Sequence, residues 1–218
     1  MSSKPNLQVV KIGGNVIDNP SALASFLTDF ASLEGPKILV HGGGKIATQM
    51  AATMGIESKM IEGRRVTDEE SLRIVTMVYA GWINKSIVAD LQALSCNSLG
   101  LTGPDGGIVV SKKRAAQPID YGFVGDIVHV NASSLSGLVA AGFSPVFAPI
   151  TADASGQLLN TNADTMAQAL AIALSSAYDV TLTYCFEKKG VLLDPADDDS
   201  VISSINPASF QDLKEKGI

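Results

Sequence analysis

The sequence predicts an α/β fold in which a mainly parallel sheet is covered by helices on both faces. Short apolar segments alternate along the chain with segments whose apolar residues recur every three or four positions. This alternation of strands and helices is typical of parallel sheets, because each crossover helix packs against one face. The 218 residues are 46% hydrophobic and 17% charged, a composition that provides for a large buried core.

The predicted elements follow one another in a regular order. Strands are predicted at 7–12, 37–40, 98–103, 123–130, 145–150 and 179–186. Helices are predicted at 20–33, 45–54, 67–94, 133–141, 163–177 and 207–216, and hairpins at 102–113 and 152–160. In the second helix, Ile46, Met50 and Met54 fall on one face. The third helix begins with a capping box at 67–70, and we expect a bend at Gly81.

Charge and cysteine content exclude several classes of protein. The chain carries 16 basic and 22 acidic residues, a net charge of −6, which argues against nonspecific nucleic-acid binding. Cys96 and Cys185 are the only cysteines, which indicates a reduced compartment without a disulfide framework or a cysteine metal motif. The N-terminus lacks a signal-peptide core, and no apolar run approaches the roughly 18 residues of a membrane span. We therefore expect a cytoplasmic protein with no membrane partner.

Two glycine-containing segments follow predicted strands and have the features of anion sites. In VVKIGGN (9–15), Lys11 lies in an otherwise apolar strand, where its ammonium either binds an anion or faces water at a sheet edge. In HGGGK (41–45), three glycines separate a strand from a helix whose first amides are unpaired and carry roughly half a positive charge. The second segment is therefore either an anion cradle or a tight turn without a ligand.

Two polar segments precede predicted helices. In EGRRVTDEE (62–70), Arg64 and Arg65 could clamp a carboxylate, although a solvated arginine pair is the alternative. In LLNTNADT (158–165), Asn160, Asn162 and Asp164 alternate ahead of an alanine-rich helix. Helix capping accounts for Asn162 and Asp164, because an N-terminal asparagine and a first-turn acid both stabilise a helix. Capping does not account for Asn160.

Other motif assignments are weaker. Gly42-x-Gly44-x-x-Ala47 formally matches a dinucleotide fingerprint, but it follows the second strand, and Glu62 is a poor ribose-binding acid. HGGG also occurs as the oxyanion-hole loop of lipase-like hydrolases, yet the chain has no G-x-S-x-G elbow. It has no G-x-x-x-x-G-K-[ST] motif either, which excludes a P-loop protein.

Taken together, VVKIGG, LVHGGG, GRRVT and LLNTNAD resemble, in this order, the amino acid kinase family and in particular its acylglutamate branch. The resemblance covers almost the whole chain and implies a three-layer α/β/α sandwich. By this resemblance, residues 1–150 are an acylglutamate-binding lobe that also carries Lys11, and residues 151–218 begin a nucleotide-binding lobe. The implied reaction is ATP-dependent phosphorylation of the γ-carboxylate of N-acetyl-L-glutamate or N-succinyl-L-glutamate, with Mg²⁺. The acyl group stays open, and Arg64 is a candidate for reading it.

The resemblance also implies roles for the residues that transfer the phosphoryl group. Lys11 would stabilise that group, and Asp164 would orient the catalytic lysines. Gly13 and Gly14 would close on the same phosphates. A carboxylate acceptor is already a nucleophile at neutral pH, so positioning and electrostatic stabilisation suffice without a general base or a protein-bound metal.

At the acceptor end, the resemblance implies that the amides of Gly43 and Gly44 bind the side-chain carboxylate of the substrate. Arg65 would clamp its α-carboxylate. Asn160 would bind the N-acylated amino acid, with Asn162 beside it.

The sequence departs from the family pattern near its end. The family carries a second phosphate-facing lysine late in the chain, in a glycine-rich stretch that has no counterpart here; for a chain ending at Ile218 we expect weak ATP binding and little turnover. The family's aspartate after the last strand is also missing, so the nucleotide contacts are placed at Phe186, Lys189 and Gly190. The acidic run 197–199 is expected to be a solvated loop and not a metal site.

Two further expectations concern assembly and alternative functions. Only six residues precede Leu7, where arginine-inhibited hexamers of the family carry an extra helix, so we expect a homodimer without arginine feedback. The alternatives to a kinase are a dinucleotide-binding oxidoreductase that uses GGGKIA and a non-catalytic ligand-binding relic of the kinase fold.

Overall fold

The computed structural model describes residues 4–43, 45–61, 64–186 and 188–217. The chain divides after Cys185 into two compact units. The strands are β1 Asn6–Ile12, β2 Lys37–His41, β3 Met60–Ile61, β4 Arg64–Arg65, β5 Ser98–Leu101, β6 Val109–Lys113, β7 Gly125–Val130, β8 Ser144–Phe147, β9 Ile150–Ala152, β10 Leu158–Asn160 and β11 Asp179–Cys185. The helices are α1 Gly14–Ile17, α2 Pro20–Ser32, α3 Ile46–Thr53, α4 Glu69–Val75, α5 Asn84–Ala93, α6 Ala132–Ala140, α7 Ala163–Leu174 and α8 Pro207–Glu215, and a π-helical segment, Thr76–Ile83, joins α4 to α5.

The first unit is built on a five-stranded sheet in the order β11-β1-β2-β8-β5. Every neighbouring pair in it is parallel. The predicted parallel sheet is therefore confirmed. β1 and β2 lie in its interior, so that their carboxyl ends, where the two glycine segments begin, are side by side.

Helices cover both faces of this sheet, and the side chains of each strand alternate between two apolar cores. Val10, Ile12 and Leu39 face the core formed with α2, α4, the π-helical segment and α5. Leu7 and Val9 face the opposite core, formed with α6 and α7. This gives the three layers that were predicted. The same alternation puts Lys11 on the α7 face and His41 on the α5 face.

A second sheet, in the order β10-β9-β6-β7, extends from the carboxyl end of β8. β9 and β10 form the hairpin predicted at 152–160. A buried hydrogen bond of 2.7 Å between the hydroxyls of Thr151 and Thr161 ties β9 to the start of α7. Asn160 ends β10, and this tie places it next to α7.

The hairpin predicted at 102–113 is wrong, because β6 pairs with β7 across a longer loop. Two predictions about helices also differ from the structure. α4 is capped by Asp68, whose carboxylate accepts from Ser71 N–H at 2.8 Å, and not by Thr67. Thr67 is buried and forms a bridge with Gly122 instead, and its Oγ1 accepts from Asn160 Nδ2 of β10. In α3, Ala47 and Ala51 are buried while Met50 and Met54 are exposed. Small alanines allow α3 to pack closely against its neighbours, and they give only a weak apolar signal in the sequence.

The π-helical segment spans Gly81, where the sequence predicted a bend in one long helix. A π-turn contains an extra residue and shifts the side chains that follow it around the helix. Tyr79 and Asn84 are both buried on the sheet side of this region. The shift therefore affects which residues reach the carboxyl end of β2.

The second unit, described over residues 186 and 188–217, contains a bridge between Leu192 and Val201 and ends with α8. Asn206 and Ser209 form a capping box at the start of that helix. The acidic run of this unit is exposed, as expected for a solvated loop, and two of its carboxylates pair with Lys188 and Lys189. The lobe boundary predicted at residue 150 stays a prediction.

Candidate active site

A cavity of about 500 Å³ lies in the first unit, at the carboxyl ends of β1 and β2. Parallel sheets bind their ligands at this edge. The predicted site residues that line the cavity are Lys11, Gly14, Gly43, Arg65, Asn160, Asn162 and Asp164. Residues from all four sequence segments therefore meet in one place. Gly44 lies outside the described residues.

Lys11 and Asp164 form an ion pair, with 2.8 Å between Nζ and Oδ1. Lys11 extends from the face of β1 that α7 covers, and Asp164 lies in the first turn of α7. The lysine side chain is only 14% exposed, whereas that of Asp164 is 54% exposed. The ammonium is thus held in a largely dry position at the cavity wall, which excludes the alternative of a lysine facing water.

Gly13 and Gly14 form the turn after β1. Gly13 N–H donates to the carbonyl of Cys185 at 3.2 Å, and a methyl group added to Gly13 would lie 3.8 Å from Lys11 Nζ. Gly14 lines the cavity, and Gly13 is close to the Lys11 ammonium. Burial raises the pKa of Cys185, and the charge of Lys11 opposes this shift.

The glycine loop after β2 approaches a tyrosine ring closely. A Cβ at Gly43 would lie 2.0 Å from Cε1 and Cζ of Tyr79, so no larger residue fits without displacing the ring. Lys45 N–H, near the start of α3, donates to both carboxylate oxygens of Asp18 at 3.0 Å. Asp18 thus occupies an amide that the sequence left open for a ligand, whereas Gly43 N–H has no backbone partner among the described residues.

Arg65 brings a charge to the cavity that no carboxylate of the described residues pairs with. Its guanidinium donates to Ser58 Oγ at 2.6 Å and to Thr48 Oγ1 at 2.8 Å. Burial raises the pKa of Tyr79, and the nearby charge of Arg65 opposes this shift. Neutral hydroxyls therefore orient the guanidinium without cancelling its charge, as an anion site requires.

The two asparagines have different environments. Asn160 Nδ2 donates to Thr67 Oγ1 at 3.0 Å. Asn162 caps α7, with its Oδ1 accepting from Thr165 N–H at 2.9 Å. The capping interpretation of Asn162 is therefore confirmed, and only its Nδ2 group is left for a ligand. Their binding roles stay predictions.

Arg114 also lines the cavity, although the sequence did not single it out. Its Nε and a terminal nitrogen donate to Asp126 Oδ1 at 3.0 and 2.6 Å. The guanidinium lies 5.6 Å from the ring centre of Tyr121. Its charge is partly neutralised, which distinguishes it from Arg65. No signal in the sequence pairs residues 114 and 126, because their contact depends on strand register.

A buried polar group lies directly behind the glycine loop. His41 is fully buried, and its Nδ1 lies 2.8 Å from the carbonyl oxygen of Gly42. Its Nε2 lies 3.2 Å from Nδ2 of Asn84. Burial lowers the pKa of His41 to about 4; the hydrogen bond to Gly42 opposes this shift, and the charge of Lys85 adds to it. The ring is therefore neutral at pH 7.

The predicted nucleotide contacts Phe186, Lys189 and Gly190 belong to the second unit. Lys189 pairs there with Asp199 at 2.5 Å. Their role stays a prediction, and that of Glu62 falls outside the described residues. Across the described ranges, no group of three or more His, Cys, Asp or Glu is placed to hold a metal ion. The helices in this part of the chain include none that is long and apolar enough to cross a membrane.

We expect Gly43→Ala to destabilise the protein by about 1–3 kcal/mol, because the new methyl group overlaps the Tyr79 ring. Urea unfolding measures the change. Gly137→Ala is the matched control, since Gly137 lies within α6 and an added Cβ meets nothing within 4 Å. That control is expected to be neutral or slightly stabilising. Equal stability of the two variants would contradict the close approach at Gly43.

We also expect the fold to lose stability through His41 as the pH falls from 6.5 to 4. The unfolded chain takes up a proton on this imidazole near pH 6.5, whereas the buried ring resists protonation to about pH 4. The unfolded state thus binds more protons in this window, which costs up to about 3 kcal/mol of unfolding free energy. Urea titrations across these pH values measure the loss.

Two variants isolate this contribution of His41. His129 is exposed, so His129→Gln should keep the pH-dependent loss. His41→Gln should remove the part that the buried imidazole contributes. The same pH slope in both variants would show that His41 does not titrate as described.

Comparisons with known proteins agree with this arrangement. Residues 6–218 match the amino acid kinase family. The chain is 57% identical over 213 residues to a Cytophaga hutchinsonii protein named acetylglutamate kinase, covering 97% of this chain and 81% of that protein. A Bacteroides fragilis protein of the same name is 54% identical over 215 residues, covering 99% and 82%.

Solved structures show the same fold. A Streptococcus mutans protein superposes with a TM-score of 0.78 at 25% identity, covering 97% of this chain and 83% of that one. The N-acetylglutamate synthase of Neisseria gonorrhoeae, complexed with coenzyme A and N-acetyl-glutamate, also superposes with a TM-score of 0.78, at 21% identity, covering 96% and 47%. The chain belongs to the amino acid kinase family.

Proposed function

We propose that this chain is an ATP-dependent acetylglutamate kinase that forms an acyl phosphate on the γ-carboxylate of N-acetyl-L-glutamate, a step of arginine biosynthesis. Relatives that are 54–57% identical over nearly the whole chain carry this name. The observation that carries the proposal is that the cationic side chains of Lys11 and Arg65 line one cavity, where a single doubly anionic ligand could reach both. No relative named above supports the oxidoreductase or the non-catalytic relic.

The acceptor would bind between Arg65 and the glycine loop. The guanidinium of Arg65, oriented by Ser58 and Thr48, would hold the α-carboxylate with parallel hydrogen bonds. The amides of Gly43 and Gly44 would bind the γ-carboxylate. Two carboxylates on one small molecule match two separate anion sites in one cavity. Asn160 and Nδ2 of Asn162 would contact the acylated amino group.

Lys11 would neutralise the charge that accumulates as the γ-phosphoryl group moves between two negatively charged oxygens. Its ion pair with Asp164 fixes the position of the ammonium before ATP arrives, so little reorganisation is needed during transfer. Asp164 acts here as an orienting group, because a carboxylate nucleophile carries no proton for a base to remove. Gly13 and Gly14 would close on the same phosphates.

ATP enters as its Mg²⁺ complex in this proposal, with phosphate oxygens and water as the main metal ligands. Phe186, Lys189 and Gly190 would contact the nucleotide, within a nucleotide lobe that begins at residue 151. A cytoplasmic homodimer remains the proposed state of the protein. The chain spans about four-fifths of the length of the curated relatives named above.

Acyl-phosphate formation trapped with hydroxylamine tests the reaction. N-acetyl-L-glutamate and N-succinyl-L-glutamate are compared as acceptors with MgATP, and the better one identifies the acyl group. ATP-dependent hydroxamate formation supports the proposal. The assay is repeated on protein extended by the family's glycine-rich segment with its second lysine, because little turnover is expected without that lysine. The absence of product with either acceptor from the folded, extended protein would contradict the proposal.

We predict that Lys11→Ala lowers kcat at least about 100-fold, as expected for removal of a preorganised charge at the transition state. Lys112→Ala is the matched control, because Lys112 is exposed on β6. Trapped acyl phosphate is measured for both variants. Turnover in Lys11→Ala within a few-fold of the wild type would rule out the proposed role of the ammonium.

We predict that Arg65→Lys raises KM for the acylglutamate about tenfold or more and leaves KM for ATP nearly unchanged. A point charge cannot replace the paired donors of a guanidinium, whereas the nucleotide does not contact this residue in our proposal. Arg73→Lys is the control, since Arg73 is an exposed residue of α4 that pairs with Glu69. Equal increases in both KM values would place Arg65 outside the acceptor site.

A further inference from the structure

A hydrogen-bonded chain whose two central side chains are buried lies behind the glycine loop and has no place in the mechanism above. It runs from Lys85 through Asn84 and His41 to the carbonyl of Gly42. His41 ends β2, and Asn84 begins α5 directly after the π-helical segment. His41 and Asn84 are 0% and 1% exposed. Burying two polar side chains is costly unless they are hydrogen-bonded. Each polar atom of the two side chains is therefore expected to have a partner.

The orientation of the Asn84 amide is fixed by two neighbours. Its Nδ2 donates to the carbonyl of Val146 at 2.9 Å, and its Oδ1 accepts from the ammonium of Lys85 at 3.1 Å. If the nitrogen and oxygen of this amide were exchanged, its oxygen would face the Val146 carbonyl and its nitrogen would face the Lys85 ammonium. The second hydrogen of Nδ2 therefore points to His41.

This orientation determines the tautomer of His41. Nε2 accepts a hydrogen bond from Asn84 and so carries no proton. Nδ1 must then carry the proton of the neutral ring, and it donates to the carbonyl oxygen of Gly42 at 2.8 Å. Both ring nitrogens are satisfied only in this tautomer, and a protonated ring would direct Nε2–H against the Asn84 amide.

The bond to Gly42 also sets the direction of the next amide. A trans peptide is planar, so the carbonyl of Gly42 and the N–H of Gly43 point in opposite directions. The carbonyl points inward, to a ring that is fully buried. Gly43 N–H therefore points away from the interior, and Gly43 lines the cavity. A glycine loop has many accessible conformations, so this direction needs a specific restraint.

We propose that His41 is a positioning residue, held by Asn84 as the Nδ1–H tautomer, that turns the Gly42–Gly43 peptide so that Gly43 N–H faces the acceptor carboxylate. The assignment of the acceptor rests on the proposed function. His41 touches no substrate and exchanges no proton. It prepares one hydrogen-bond donor in advance, so that substrate binding does not have to order the loop.

Two substitutions separate the two hydrogen bonds of His41. His41→Asn places an amide nitrogen at the position of Nδ1 and can keep the bond to Gly42, but it reaches no further. His41→Gln places its terminal amide near the position of Nε2 and can keep the bond to Asn84, but it loses the donor to Gly42. Asparagine is the smaller residue and leaves the larger cavity, so His41→Asn should be the less stable variant.

We expect His41→Gln to bind the acceptor more weakly than His41→Asn, although His41→Asn should be the less stable of the two variants. By calorimetry, the Kd for N-acetyl-L-glutamate should rise about tenfold in His41→Gln, as the loss of one oriented donor implies, and less than about threefold in His41→Asn. KM for ATP should change little in either. A merely structural role would weaken binding most in the less stable variant. That ranking, or an equal rise in both, would overturn the proposal.

Nuclear magnetic resonance of the ligand-free protein tests the same inference independently of the proposed reaction. Long-range correlation of ring nitrogens and protons at pH 7 should show His41 protonated on Nδ1. The Gly43 amide signal should shift in His41→Gln and stay close to its wild-type position in His41→Asn. Protonation on Nε2 would overturn the proposal. Wild-type protein that shows the Nδ1–H ring but neither binds nor phosphorylates the acceptor would contradict only the proposed function.

Discussion

The ion pair between Lys11 and Asp164 is the interaction on which the arrangement of the site depends. Lys11 lies on a strand face whose other members, Leu7 and Val9, are fully buried in an apolar core. An ammonium at this position is tolerated because α7 begins with a carboxylate 2.8 Å away. The pair fixes α7 against β1, and the second sheet is tied to the start of α7. The charge that serves phosphoryl transfer is therefore also a constraint on packing.

The second constraint is the close approach of the Tyr79 ring to Gly43, which explains why this position of the acceptor loop is glycine. The Tyr79 ring lies where a Cβ of Gly43 would be, while the Asp18 carboxylate accepts from Lys45 N–H just before the following helix. Gly43 is thus limited by an aromatic ring, and the start of α3 is held by a carboxylate. What remains open to the cavity is a small set of donors, together with the uncompensated charge of Arg65.

Much of this could be predicted from the sequence, because apolar periodicity and glycine positions are local signals. The parallel sheet, the hairpin at 152–160 and the cap at Asn162 followed from such signals. The meeting of four segments in one cavity was implied by the family resemblance. The π-helical segment and the pairs Arg114–Asp126 and His41–Asn84 did not follow from local signals. The π-helical segment depends on how the helix winds as it packs against its neighbours. The two pairs depend on tertiary packing and strand register, which bring together residues far apart in the chain. The α3 face was wrong because alanine gives no strong apolar signal.

The central claim is that one cavity binds both carboxylates of an acylglutamate in a fixed orientation. The most direct measurement is a crystal structure of the chain with N-acetyl-L-glutamate and a non-hydrolysable ATP analogue. We predict the α-carboxylate on the guanidinium of Arg65, the γ-carboxylate on Gly43 N–H, and the terminal phosphate of the analogue beside Lys11 Nζ. A ligand bound in the reverse orientation, or outside this cavity, would contradict the assignment.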